Sequence, residues 1–300
     1  MNEIEPEWSQ YLSGSAFKSK HTIISYKNGH RRLTDYLMGP IRDAKPKEII
    51  QAINEIANNP NTKASLLNCA IVFYNLNKND TNELLMEKVT NNAFIALHRK
   101  QVATTKAKEL PKVDELQVIL NRLYTQQKWR DFIVLWLMVN YNTRNSDVAV
   151  EIVNSIHQTK KDKKRNYLVR RKEDFVYIRY NYKTVRTYGM KKHYFKSVLM
   201  DRAVRYYTAE NPPDMPLHLL NVNGEPMSEA SITNKIKSIT GGLTESDINK
   251  IQVSAVEDIA QYSLLKKMSD RRGTDCDTLI THYNLSFQAT DIPIDMLDIQ

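Results

Sequence analysis

The stretch Asp131-Phe-Ile-Val-Leu-Trp-Leu-Met-Val-Asn140 constrains the fold more than any other part of the chain. Phe132 to Val139 is apolar without a break, yet falls far short of the about 18 residues that cross a bilayer. A run of this kind reads as a helix buried on most of its sides. It leads directly into the polar turn Tyr141-Asn-Thr-Arg-Asn-Ser-Asp147, after which Val148, Val150, Ile152 and Val153 are expected to open a second helix. Arg144 is thereby held by rigid elements on both sides, with Asp147 three residues on. A guanidinium fixed in this way suits an oxyanion, which its planar fork binds bidentately. The same residues equally suit an Arg–Asp pair joining two helices, and this stretch alone leaves both readings open.

The first hundred residues are helical throughout. Residues 8–38 repeat Trp8, Tyr11, Leu12, Ile23, Ile24, Tyr26, Leu33, Tyr36 and Leu37 at helical spacing until Gly39-Pro40. A helix opening at Pro46 carries Ile49, Ile50, Ile53 and Ile56, and another runs from about Thr62 to Leu76. Asp80 and Glu83 read as a capping pair for a helix reaching roughly Ala107. Lys18, Lys20, Lys27, Arg31 and Arg32 form basic faces, suited either to phosphates or simply to solvent. Residues 98–112 lose the apolar stripe and become basic, which predicts a helix end followed by a linker at Pro111. The expected organisation is a helical unit 1–97, a basic linker 98–112, and a second unit 113–300.

Beyond residue 158 the periodicity changes to that of strands. Asn166 to Arg171 and Phe175 to Tyr182 are rich in aromatic and β-branched residues, and Arg186-Thr-Tyr-Gly189 is expected as a third strand. The fold class is thus mainly α with a small three-stranded antiparallel sheet. From Lys160 to Lys196 there are fourteen Lys and Arg against three acidic residues, a local excess of eleven, whereas the whole chain is only +9. Basic residues interleaved with tyrosines on a hairpin suit a nucleic-acid groove. Tyr194 to Glu210 reads as helix, followed by a short strand, a turn at Asn223-Gly224 and an N-cap at Ser228. Three helical pieces, roughly 246–258, 261–269 and 275–284, precede the acidic, apolar tail 291–300.

Some classes are excluded by what is missing. Cys69 and Cys276 stand far apart with no metal-ligand spacing around either, so neither a disulfide scaffold nor a metal or other cofactor is expected. The acidic opening Met-Asn-Glu-Ile-Glu-Pro-Glu lacks the layout of a signal peptide, and no run is long enough for a membrane span. These observations read as a soluble intracellular protein.

A helical unit, a basic linker, and a helical unit holding one hairpin together resemble the tyrosine recombinases, the integrase family allied to type IB topoisomerases. The resemblance covers about residues 8 to 287. In that family an arginine follows an apolar helix in a Thr-Gly-Leu-Arg-x-x-Glu pattern, which Asn142-Thr-Arg-Asn-Ser-Asp147 is similar to. This implies that Arg144 is the first catalytic arginine and Asp147 its acidic companion. Lys183-Thr184 lies in the turn where the family keeps its catalytic lysine. Leu219-Leu-Asn-Val-Asn-Gly-Glu-Pro-Met-Ser228 resembles the strand-Gly-x-Pro element before the next helix, and Tyr283 in Ile280-Thr-His-Tyr-Asn284 fits the nucleophile. Unit 1–97 would then be the core-DNA-binding domain and 113–300 the catalytic-type domain. The partner implied is double-stranded DNA, with a homo-oligomer, a tetramer on DNA, and the tail as its exchange segment.

The departures are specific. The family's His-x-Leu-Arg is best matched by Ser246-Asp-Ile-Asn249, which lacks both functional side chains, and its Leu-Gly-His by Met268-Ser-Asp270. Lys250, Arg271 and Arg272 stand nearby as substitute phosphate contacts, and Arg179, Arg186, Lys191 and Lys192 are the further DNA-contacting candidates. Losing one preorganised charge donor typically slows such chemistry by about 10²–10³. Two functions are therefore open: a DNA strand transferase working through a 3′-phosphotyrosyl bond, or a non-enzymatic structural or packaging DNA-binding protein on the same fold. A weaker third reading is an RNA-directed binder.

Overall fold

A computed structural model of the chain describes residues 6–14, 20–211, 217–223, 225–255 and 262–283. It divides into two compact units, 1–102 and 103–300, and the boundary falls inside one helix.

Unit one holds α1 (Pro6–Gly14), α2 (Lys20–Leu37), α3 (Pro46–Ile56), α4 (Pro60–Leu76) and the first part of α5 (Asn82–Glu109). The helix starts follow from local chemistry. Pro46 and Pro60 occupy first turns, where their missing N–H costs nothing. The Asn59 side chain accepts from the Thr62 N–H at 2.9 Å, and Glu48 accepts from the Lys45 N–H at 2.7 Å. The core gathers Trp8, Leu33, Ile41, Ile49, Ile53, Leu67 and Phe73. Gly29 lets α2 approach α4, since a Cβ there would lie 3.2 Å from both Cβ and Sγ of Cys69. Burial pushes the Cys69 thiol up to about 12, making it a packing residue. The span expected as helix end plus linker stays helical to Glu109, and Lys112 caps the next helix.

Unit two is organised around α7 (Trp129–Tyr141), as the apolar run requires. Eight of its side chains, from Trp129 to Tyr141, are buried. Packed with it are α6 (Val113–Thr125) and, further along the chain, α10 (Val198–Ala209), α11 (Glu229–Thr240) and α12 (Glu245–Ser254). Its remaining helices are α8 (Ile156–Thr159), α9 (Val185–Tyr188), α13 (Tyr262–Arg272) and α14 (Cys276–Tyr283).

The sheet corrects the sequence expectation. It is mixed and five-stranded, in the order β4 (Lys191–Phe195), β3 (Phe175–Arg179), β2 (Asn166–Arg170), β1 (Val150–Val153), β5 (Leu217–His218). β1 runs parallel to β2, with Val150 opposite Asn166, while the other pairs are antiparallel. Residues 148–153 do not form a second helix. Val148, Val150 and Ile152 are buried while Ala149 and Glu151 between them are half-buried, and this period of two in β-branched residues belongs to a strand. Nor is Arg186 to Gly189 a strand. It is the short α9, closed by Gly189 at φ 67 and by the Tyr182 hydroxyl donating to the Gly189 carbonyl at 2.6 Å. The third strand of the hairpin is instead β4, whose alternating half-buried and exposed residues include two lysines and a histidine. Tyr194 to Lys196 therefore precede the helix, which Ser197 caps by accepting from the Met200 N–H. A small ribbon, β6 (Asn221–Val222) with β7 (Glu225–Pro226), leads to the Ser228 cap of α11. The tail 291–300 lies outside the described residues.

Candidate active site

Asn142 ends α7 in the left-handed conformation at φ 48, which an asparagine tolerates better than most side chains. The chain then folds tightly, with the Asp147 N–H donating to the Arg144 carbonyl at 3.0 Å. Three neighbours hold this turn. The Asn142 amide donates to Gln252 at 3.0 Å, the Asn145 N–H donates to Glu245 Oε2 at 2.8 Å, and the Asn145 amide donates to Thr233 at 3.0 Å.

Asp147 does not neutralise the Arg144 guanidinium. Its carboxylate, wholly buried, accepts from Arg179 Nη1 at 3.0 Å and from the Arg144 backbone N–H at 3.3 Å. Burial presses this carboxyl upward, against the charges of Arg179 and Arg144 that favour its ionised form. The Arg144 guanidinium, half-buried, instead donates to the Arg272 carbonyl at 3.3 Å. Burial and then the neighbouring Arg272 press it downward, while Asp147, Glu245 and Tyr283 hold it up. Arginine stays charged under such pressure.

Arg272 closes α13 and is 1% exposed. Its Nη1 donates to the Asn142 carbonyl at 2.9 Å, and its Nη2 donates to Glu245 Oε1 at 2.8 Å and to the Tyr283 hydroxyl at 2.9 Å. The guanidinium carbon stands 4.6 Å from the centroid of the Tyr283 ring, and Nε is buried without a partner. Gly273, at φ 69, then reverses the chain against the turn between β3 and β4. A Cβ there would come within 2.6 Å of the Tyr182 ring, and the Thr184 hydroxyl donates to the Gly273 carbonyl. The turn after α7, the hairpin turn and the α13–α14 turn thus meet, and Arg144, Arg272 and Tyr283 lie together.

The other expected residues are distributed differently. Lys183 is exposed between buried Tyr182 and the anchored Thr184, so its position is fixed while its ammonium faces solvent. Arg179, expected on a DNA-contacting face, is instead fully buried. It pairs with Asp147, donates to His193 Nε2 at 3.3 Å, and its guanidinium carbon stands 5.1 Å from the Tyr182 ring centroid. Arg271 donates to the Asn140 carbonyl at 2.7 Å and covers the Tyr141 ring, closing the end of α7. Lys250 is half-buried beside the Lys106–Asp247 pair, where burial first and Lys106 second lower it. Lys191 reaches to 5.7 Å from the Tyr188 ring, and Lys192 and Arg186 are exposed on the outer part of the hairpin. Asn249 is buried on α12, its amide donating to the Glu245 carbonyl at 3.0 Å, and Ser246 is exposed. Met268 and Ser269 lie buried within α13.

Glu245 and His193 were not singled out from the sequence. Glu245 had only its place at the start of a capped helix to mark it. His193 is hidden in a basic strand, where burial and then Arg179 push its imidazole down to about 3. Because arginine only donates, Nε2 is the acceptor and the ring proton sits on Nδ1.

No family model and no curated protein matches the chain. Among solved structures it is similar to a crystal structure of XerA recombinase, 11% identical, covering 97% of this chain and 94% of that one at a TM-score of 0.38. It is also similar to a lambda integrase dimer bound to a COC′ core site, 14% identical over 98% of this chain and 79% of that chain, with a TM-score of 0.48. A second structure of that complex, of integrase residues 75–356, gives 14% identity, 99% of both chains and a TM-score of 0.49. Among the described residues no helix is long and apolar enough to cross a membrane.

Proposed function

We propose that the chain is a DNA strand transferase of the tyrosine recombinase type, acting through a 3′-phosphotyrosyl intermediate and assembling as a homo-oligomer on double-stranded DNA. The observation that carries this reading is the Arg272–Tyr283 hydrogen bond at 2.9 Å beside the Arg144 turn. A phenol among guanidinium groups is equipped for in-line attack on a phosphodiester, because the cations stabilise charge on the non-bridging oxygens.

In this reading the Tyr283 oxygen bonds to phosphorus as the bond to the 5′ oxygen breaks. The phenolic proton passes to solvent water, and the departing oxygen takes a proton from Lys183. Arg144 and Arg272 hold the phosphate. Arg272 supplies the second cation from α13, whereas α12 offers only Asn249 where the family carries its arginine. Asp147 and Arg179 support the Arg144 turn from beneath. The absence of a histidine and an arginine at Ser246 and Asn249 is what favours the second reading, a DNA-binding protein without chemistry.

Incubation with a nicked duplex, followed by denaturing electrophoresis, separates the two. The strand-transferase reading expects a covalent adduct that Tyr283→Phe abolishes and that Arg272→Ala slows by about 10²–10³. Duplex binding without any adduct, unchanged in Tyr283→Phe, would leave the non-enzymatic reading.

A further inference from the structure

Glu245 stands at a junction that the strand-transfer chemistry does not by itself use. It is the first residue of α12, and its backbone is set by a capping box in which Thr244 and Asp247 bond reciprocally. A carboxylate there sits at the positive end of the helix. Its two oxygens serve different segments: Oε1 accepts from Arg272 Nη2 at 2.8 Å and Oε2 from the Asn145 N–H at 2.8 Å. The side chain is only 20% exposed and is the counter-charge to a guanidinium that is 1% exposed.

The consequence is geometric. Arg272 is held at two points, the Asn142 carbonyl through Nη1 and Glu245 through Nη2. With the guanidinium plane fixed by those two bonds, the second hydrogen on Nη2 falls on the Tyr283 oxygen. Asn142 and Asn145 flank Arg144, so the carboxylate that orients Arg272 also pins the turn that carries the other arginine. We propose that Glu245 is a positioning residue: it holds Arg272 against the nucleophile and keeps the two guanidinium groups in register with each other.

This rests on the strand-transfer reading, and the full chain on the same nicked duplex tests it. Glu245→Gln keeps the shape but removes the charge. The single-turnover rate is expected to fall by about 10²-fold, the cost of one misplaced charge donor. Duplex affinity should stay close to wild type, and the pH–rate profile should move to lower pH because a negative charge beside the phenol is gone. Glu245→Asp, which keeps the charge but withdraws it by one methylene, should be slower than wild type with an unmoved profile. If both variants cleave at the wild-type rate, or if Glu245→Gln loses affinity in step with rate and leaves the profile unmoved, the proposal is overturned. Should Glu245→Gln fail to fold, Glu245→Asp decides alone: slower cleavage at wild-type affinity supports the role, and a wild-type rate ends it. A wild-type chain that forms no adduct overturns the strand-transfer reading together with this one, whereas an adduct insensitive to Glu245 overturns this one only.

Discussion

Arg179 and His193 carry polar groups into the interior under the Arg144 turn, and each is tolerable only because of its partner. Asp147 and Arg179 are both fully buried, 3.0 Å apart, and removing one partner of such a pair typically costs about 3–5 kcal/mol. That energetic position makes Arg179 part of the scaffold rather than of a DNA-contacting surface. His193 gives a pH signature. Its folded-state value is about 3, so between the ordinary histidine value near 6.5 and that point the unfolded chain binds a proton that the folded chain refuses. Stability from this residue is therefore present above pH 6.5 and is lost as pH falls, at about 1.4 kcal/mol per pH unit. His193→Gln retains an acceptor for Arg179 but cannot titrate. Denaturant unfolding should show wild type losing about 2 kcal/mol more than the variant between pH 6.5 and 5. Equal losses would mean that the imidazole protonates freely in the fold.

At the scale of elements, the site depends on a close approach between the α13–α14 turn and the hairpin turn. Gly273 permits it twice over, by its φ of 69 and by lacking a Cβ that would meet the Tyr182 ring at 2.6 Å. Gly241 is the informative control, since it ends α11 at φ 74 with nothing within 4 Å of the same missing atom. Gly241→Ala should cost about 1–2 kcal/mol for the left-handed backbone alone. Gly273→Ala should cost roughly 1–3 kcal/mol beyond that for the forced overlap, and should displace the turn bearing Lys183. Thermal melts of the two variants measure the difference, and equal shifts would show that the two turns do not need this contact. The hairpin itself was legible only in part. Asn166 to Arg170 and Phe175 to Arg179 announce themselves by β-branched and aromatic residues, whereas Lys191 to Phe195 hides its alternation behind two lysines and a histidine. Val148 to Val153 misleads because four β-branched residues in six satisfy either period, and pairing with β2 and β5 is what selects the strand.

For the whole molecule, the relevant quantity is where charge remains unspent. Of the basic residues between 160 and 196, Arg179 is buried, and Arg165, Arg170, Arg171 and Lys196 lie beside carboxylates. The exposed lysines at 160, 161, 163, 164, 172, 183 and 192 carry most of what remains of the excess. Duplex affinity is accordingly expected to fall by roughly 10³ or more between 50 and 200 mM salt, as counterion release at several phosphates demands. A fluorescence-anisotropy titration across that range reads it directly, and an affinity that ignores salt would argue against a DNA-binding function altogether.

The sequence alone determined that α7 would be the centre of a mainly helical unit, because an unbroken apolar run has no alternative to burial. It also marked the turn that carries Arg144, the hairpin turn that carries Lys183 and a late helix ending near Tyr283, since helix ends and hairpin turns are set locally by capping, glycine and asparagine. Only the tertiary structure decided which charges are spent inside and which face outward. Asp147 turned to Arg179 and left the Arg144 guanidinium on the Arg272 carbonyl. Arg272 came to Tyr283 while its neighbour Arg271 went to the end of α7. Glu245 came to accept from both Arg272 and the Asn145 N–H. Partner choice among buried ions depends on a few ångströms between segments 27 to 128 residues apart in sequence, and no local pattern encodes that distance.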